Sequence, residues 1–287
     1  MKNFAASLLL LVPFFANSQK LQADLYAGVA NYQGDLQGKR FTFNNAKPAA
    51  GLGLSYELTT HFTIRGVASY MKISGDDKNN TTATGITYRN LNFASSLWEA
   101  QLELEYNLFD LSERSFTPYV FAGLSAFHFN PYSFDSVGNK VYLRSLSTEG
   151  QGLAAYPNRK MYKNNQFSVP VGGGIKLVLS PQLTAGLEVN IRKTFTDYLD
   201  DVSTTYVDSA TLFAAKGPQA VAFAYRGAEI HGAPAYPADG AQRGNAKIKD
   251  WYYTTVFRLS YRLFTGGGYN GGSRGKKSSL GCPTKIY

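Results

Sequence analysis

From Trp98 the chain reads WEAQLELEY, and apolar and polar positions alternate without a break. Trp98, Ala100, Leu102, Leu104 and Tyr106 share one face, while Glu99, Gln101, Glu103 and Glu105 share the other. Successive side chains of a strand point to opposite sides, so period two predicts a strand whose faces meet different surroundings. Seven further stretches can be laid beside it: Ala23–Asn31, Ala49–Leu58, Phe62–Met71, Thr117–His128, Phe167–Leu179, Leu183–Arg192 and Trp251–Phe264. In Leu183–Arg192 the set Leu183, Ala185, Leu187, Val189, Ile191 opposes Thr184, Gly186, Glu188, Asn190, Arg192. Each stretch is about the 9 to 11 residues with which a tilted strand crosses a bilayer.

The charged face of such a strand looks at water in a soluble sandwich and at a polar interior in a membrane barrel. Connection lengths separate the two. They run long (31–48), short (59–61), long (72–91), medium (109–116), long (129–166), short (180–182) and very long (193–250). Outer-membrane barrels alternate short periplasmic turns with longer external loops. The expectation is therefore an all-β, eight-stranded antiparallel transmembrane β-barrel with long external loops and both termini periplasmic. A secreted β-sandwich is the alternative, and it has no reason to alternate its loops.

The ends change the picture in two ways. Lys2, an apolar run from Phe4 to Ala16, and Ala16-Asn17-Ser18 read as a signal peptide over 1–18. The barrel then occupies 19–264, and 265–287 is a Gly-rich basic tail carrying Arg274, Lys276, Lys277 and Lys285 without an acid. Gly and Ser in that density cannot build a core, so a flexible periplasmic segment is expected, suited to an anionic surface or a partner. Only 17% of residues are charged, against 20 Tyr, 19 Phe and 28 Gly. One cysteine, Cys282, excludes a disulfide scaffold; in an oxidising compartment it reads either as a bystander or as a tether to another envelope protein. The signal peptide routes the chain away from nucleic acid.

Sorting the strands by parity collects inward charges: acids Asp24, Glu57, Glu99, Glu103, Glu105 and Glu188, and bases Arg65, Lys176, Arg192, Arg258 and Arg262. Eight strands leave a bore that side chains fill, and a near-balanced set predicts an interlocked plug rather than a solute pore. A proton or ion path is the sharper alternative.

Catalytic and metal signals are weak. His61, His128 and His231 show no metal-ligand spacing, and no cofactor is expected. A lipid-modifying barrel enzyme needs His and Ser on one face, whereas Ser125 opposes His128 by parity, so no enzyme is expected. The run Gly172–Gly174 lies inside a strand and reads as a packing point. Asp197, Asp200 and Asp201 lack the order of a calcium loop and read as a solvated loop turn.

Five motifs together resemble one family: YQGDL (32–36), RNLNFASSLWE (89–99), TPYVFAGLSAFHFNP (117–131), LSTEGQG (146–152) and TFTDYLDDVSTTY (194–206). They are similar to those of PorG barrels of the type IX secretion system, which in many members also serves gliding motility. The resemblance spans most of the mature chain, apart from the Ala-rich stretch 208–240, which reads as a variable loop. It implies a non-enzymatic component joining a periplasmic ring of PorK and PorN type to the outer membrane, with Cys282 and the basic tail as candidate attachment points. The other classes are a stand-alone structural or adhesive barrel and a lipid-modifying enzyme. The external motif residues Thr148, Glu149, Gly150, Gln151, Asp197, Tyr198, Asp200 and Asp201 either cross-link the two longest loops into a lid or face the translocon or cargo.

Overall fold

The computed structural model describes residues 20–39, 41–79 and 86–263; the signal segment 1–18 and the tail 265–287, with Arg274, Lys276, Lys277, Cys282 and Lys285, lie outside the described residues. Eight long antiparallel strands form the wall: β1 (Leu21–Gln33), β2 (Lys47–Glu57), β3 (Phe62–Asp76), β4 (Asn92–Asn107), β5 (Phe116–His128), β8 (Asn165–Val178), β9 (Leu183–Thr194) and β10 (Trp251–Arg262). β1 pairs with β10, neighbours follow in order, and β3–β4 completes the ring. The result is a closed eight-stranded antiparallel barrel. A short hairpin, β6 (Pro131–Phe134) and β7 (Lys140–Tyr142), extends the sheet from the end of β4.

Alternation in the sequence becomes inside and outside. Leu124 is 70% exposed and Leu52 66%, whereas Glu105 and Arg65 are 0% and 1% exposed. In water this inversion would expose far more continuous apolar surface than a soluble monomer carries. In a bilayer it is the expected arrangement, with leucines toward lipid and charges in the lumen. Trp98, Tyr70, Phe167 and Trp251 ring the belt at the long-loop end, and Phe62, Tyr106, Phe116 and Tyr261 ring it at the short-turn end, as aromatic side chains do at membrane interfaces.

Gly172 shows how the bore is fitted. It points inward opposite Phe121, and a Cβ there would lie 2.4 Å from the Phe121 ring and 2.2 Å from the Val189 carbonyl oxygen. The space belongs to Phe121, whose ring sits 4.0 Å below the Arg65 guanidinium. Gly172→Leu is expected to lower the unfolding free energy by roughly 1–3 kcal/mol through overpacking. Gly66→Leu, on the outward face with nothing within 4 Å, leaves it nearly unchanged. Urea unfolding in detergent micelles compares them, and equal midpoints would count against a tightly packed bore.

The long-loop end corrects one expectation and adds to another. β3 runs to Asp76 rather than stopping at Met71, because Met71 and Ile73 continue inward beneath a second core. The Ala-rich stretch, expected as a variable loop, carries two helices. After α1 (Ile86–Arg89), α2 (Ser209–Lys216) begins where the Asp208 carboxylate accepts from the Thr211 amide, and α3 (Pro218–Ala224) begins on a proline. Leu212, Ala220, Phe223 and Ala224 are buried against Leu143, Leu146, Leu199 and Val202. This crown core is continuous with the barrel through Phe93, Leu97, Phe127 and Phe129.

Candidate functional site

The lumen is built from the strand positions that alternation turns inward. Arg65 on β3 donates Nε to Glu103 at 2.6 Å and Nη1 to Glu188 at 2.6 Å and Glu105 at 3.2 Å. Arg258 on β10 reaches Glu105 at 2.7 Å and Asp24 at 3.1 Å. Lys176 bonds Glu105 and Asn107, and Arg192 pairs with Glu99 at 3.3 Å. Nearer the short-turn end Arg262 pairs with Glu57 at 2.9 Å. All eleven lumen charges expected from parity stand in ion pairs with one another. Neutral groups complete the lattice: Tyr119 donates to Glu188, Tyr252 to Glu99, and Asn190 to Gln101 and Glu103. The cavity among Tyr26, Gln101, Asn190 and Arg192 measures about 20 Å³, room for about one water and no channel. At the short-turn end the bore widens into a polar vestibule of about 370 Å³ between Gln22, Glu57, Lys176 and Arg262.

Above the long-loop end the external motifs meet. Glu149 is fully buried, and its carboxylate accepts from the amides of Ser203 (2.9 Å) and Thr204 (3.0 Å), the hydroxyls of Thr204 (2.7 Å) and Tyr198 (3.2 Å), and Arg243 Nη1 (2.9 Å). Thr148 donates to Asp201, as does Tyr162 at 2.7 Å. Gln151 turns back to accept from the Glu149 amide. Gly150 holds φ of +74° with Val207 and Tyr156 against its α-carbon, a place no side chain fits. Tyr32 of YQGDL donates to Asp200, and Asp35 accepts from the Asn245 amide. Arg89 of RNLNF grips Asp77 at 2.6 and 2.8 Å and also donates to the carbonyls of Asp35 and Arg243. The loops 129–164 and 195–250, the first loop and α1 are thereby tied into one cap over the lumen.

Asp197, Asp200 and Asp201 are buried, at 3%, 1% and 0% exposure, which corrects the expectation of a solvated turn. They do not converge on a common point: Asp197 bonds Ser203, Asp200 bonds Tyr32, and Asp201 bonds Thr148 and Tyr162. Among the described residues no group of three or more His, Cys, Asp or Glu is arranged to hold a metal ion. His128 is exposed on the lipid-facing wall and Ser125 is buried in the lumen, where it bonds Ser168. His61 caps the short turn, its Nδ1 3.1 Å from the Asn107 carbonyl. The sequence pointed to none of Arg243, Arg89 or Asp250, the last buried with its carboxylate accepting from the Leu199 amide at 2.9 Å, as a buried anchor. Arg243 sits among Ala, Gly and Asn with no periodic signal to mark it.

Buried acids make the crown pH-sensitive. Burial pushes Asp201 up to about 6 against the pull of Arg243, and pushes Asp197 up to about 7. Asp200 and Asp250 are raised well above the usual carboxylate range by burial and by neighbouring acids, Asp35 for the former and Asp200 for the latter. The folded crown therefore binds protons that the unfolded chain, titrating near pH 4, has released. The resulting stability is complete below about pH 4 and is lost as pH rises through 6 to 7 and beyond. Protease cleavage of the loops, normalised to a peptide substrate at each pH, is expected to be slower at pH 5.5 than at pH 8. Equal rates at the two values would mean that these acids are already ionised in the folded crown at pH 5.5.

A filled lumen, an outward apolar belt and a closed cap define a membrane β-barrel of the outer-membrane type. The chain belongs to the family described as Domain of unknown function (DUF6089), whose model matches residues 1–213. No curated protein matches it. Among solved structures it is similar to Neisserial surface protein A, with 9% identity over 85% of this chain and 96% of that one and a TM-score of 0.39. It is also similar to Ail of Yersinia pestis, with 8% identity over 85% and 98% and a TM-score of 0.39. A major outer membrane protein from Thermus thermophilus gives 11% identity over 84% and 98%, with a TM-score of 0.39.

Proposed function

We propose that this barrel is a non-enzymatic outer-membrane anchor of the type IX secretion machinery, holding a periplasmic ring of PorK and PorN type. The observation that carries the reading is the interior. Eleven charges in ion pairs fill the bore, the cavity among Tyr26, Gln101, Asn190 and Arg192 measures about 20 Å³, and the crown caps one end. A barrel so filled passes no solute, so its use lies in what it holds. The five motifs that resemble PorG barrels supply the kind of assembly. With the termini and short turns in the periplasm, the vestibule at Glu57 and Arg262 faces the ring. Contact of the crown with the translocon is the complementary role on the outer side.

The test is made on isolated envelopes. Reducing and non-reducing gels of wild type and Cys282→Ala, blotted for this chain, are combined with affinity capture of the barrel from gently solubilised membranes. The reading expects ring proteins to co-purify, and a covalent tether expects a high-mass band lost with reductant and in the variant. Absence of ring proteins from the captured barrel, together with normal secretion in a deletion strain, would overturn it.

A further inference from the structure

The apolar belt carries a depression on its outer wall, a notch of about 690 Å³ spanning β2 to β5 and β8. Its floor is a row of alanines in register, with Ala68 opposite Ala100 and Ala100 opposite Ala126. Leu52 and Phe167, both exposed, stand as walls opposite Ala68 and Ala126. One pleat nearer the long-loop end, Tyr70 and Trp98 pack with ring centroids 4.7 Å apart and planes tilted by 50°, and form a roof. Beside them His128 Nδ1 and Asn165 Oδ1 lie 2.7 Å apart on the exposed wall. A hydrogen-bonded polar pair is costly in hydrocarbon, so it marks the level at which headgroups begin. Lys72 continues the outward face of β3 beyond Tyr70, and Lys163, likewise exposed, precedes β8.

We infer that the notch seats an acyl chain of a phosphate-bearing anionic lipid, whose headgroup rests on Lys72, Lys163 and the His128–Asn165 pair. The apolar part fits a chain because the belt already stands in hydrocarbon and is hollowed here by a side chain's depth. The polar part fits phosphate because the cations lie at the rim, and a cation close to the surface adds about 1 kcal/mol for anionic lipid. A zwitterionic lipid fills the notch equally well but gains nothing from the lysines.

The chain has two tryptophans, Trp98 and Trp251, so Trp251→Phe leaves one fluorophore at the notch. This barrel is reconstituted in phosphatidylcholine vesicles with increasing fractions of chain-brominated phosphatidylglycerol or chain-brominated phosphatidylcholine, and Trp98 quenching gives their relative association constants. The expected result is a preference of about three- to ten-fold for the anionic lipid. Lys72→Gln with Lys163→Gln brings it close to unity, while Lys247→Gln, exposed in the loop before β10 and away from the notch strands, leaves it unchanged. Ala100→Leu, which fills the floor, weakens quenching by both lipids. Equal association of the two lipids with the parent, a preference untouched by the paired lysine changes, or one lost equally with Lys247→Gln would each overturn the proposal.

Discussion

Glu149→Ala is expected to open the crown while leaving the barrel closed. One buried carboxylate on loop 129–164 accepts two amides, two hydroxyls and a guanidinium, all from loop 195–250. Alanine leaves the buried Ser203 amide and Arg243 Nη1 short of a partner, the half-buried Tyr198 and Thr204 donors with water alone, and Arg243 as a buried cation. Breaking a buried pair by removing one member costs about 3–5 kcal/mol, comparable with the whole stability of a small domain. The loss falls on the crown because the lumen lattice shares no residue with Glu149. Limited proteolysis of the purified barrel should cut loops 129–164 and 195–250 at least tenfold faster than in the parent. The strands should keep the shifted gel mobility of an unheated, folded barrel. Glu149→Gln with Arg243→Met, which removes the orphaned charge, should recover part of the resistance. A crown as resistant as the parent's in Glu149→Ala would show that its apolar core, not this carboxylate, holds it shut.

Alternation made the wall and the lumen legible. In Trp98–Tyr106 each glutamate announced its side, and the register that opposes Arg65 to Glu103 follows from pairing strands whose faces already agreed. The crown was legible only in part. Motifs such as YQGDL and LSTEGQG stand out as unusual, but nothing local in either says that Tyr32 meets Asp200 across 168 residues. Period-based reading fails where contacts are made by turns, left-handed residues and single side chains at long separation. α2 and α3 escaped for a related reason: alanine runs satisfy helix propensity without the apolar stripe that marks an amphipathic helix. The acids of DYLDDVS were misplaced because charged residues in a loop ordinarily stay in water. Here the turn itself is packed, with Asp201 at φ of +66° and its carboxylate bonded to Thr148 and Tyr162.

Arg65→Met should destabilise the barrel itself, by about 3–5 kcal/mol. The guanidinium is wholly enclosed and serves three carboxylates, but these depend on it unequally. Glu105 keeps Lys176 and Arg258, so it remains compensated. Glu103 and Glu188 keep only neutral donors, Asn190 and Tyr119, and become uncompensated charges in a space without solvent. Methionine keeps the aliphatic stem and removes the guanidinium that lies 4.0 Å over the Phe121 ring. Adding Glu103→Gln and Glu188→Gln removes the orphaned charges and should return most of the lost stability, since a buried ionic cluster owes its cost to desolvation. Urea unfolding in micelles, followed by tryptophan fluorescence and gel mobility, measures all three proteins. If the single change leaves the midpoint unmoved, the lattice fills the bore without holding it together. If it unfolds the barrel and the triple variant does not recover, the guanidinium's shape and its seat over Phe121, rather than its charge, carry the effect.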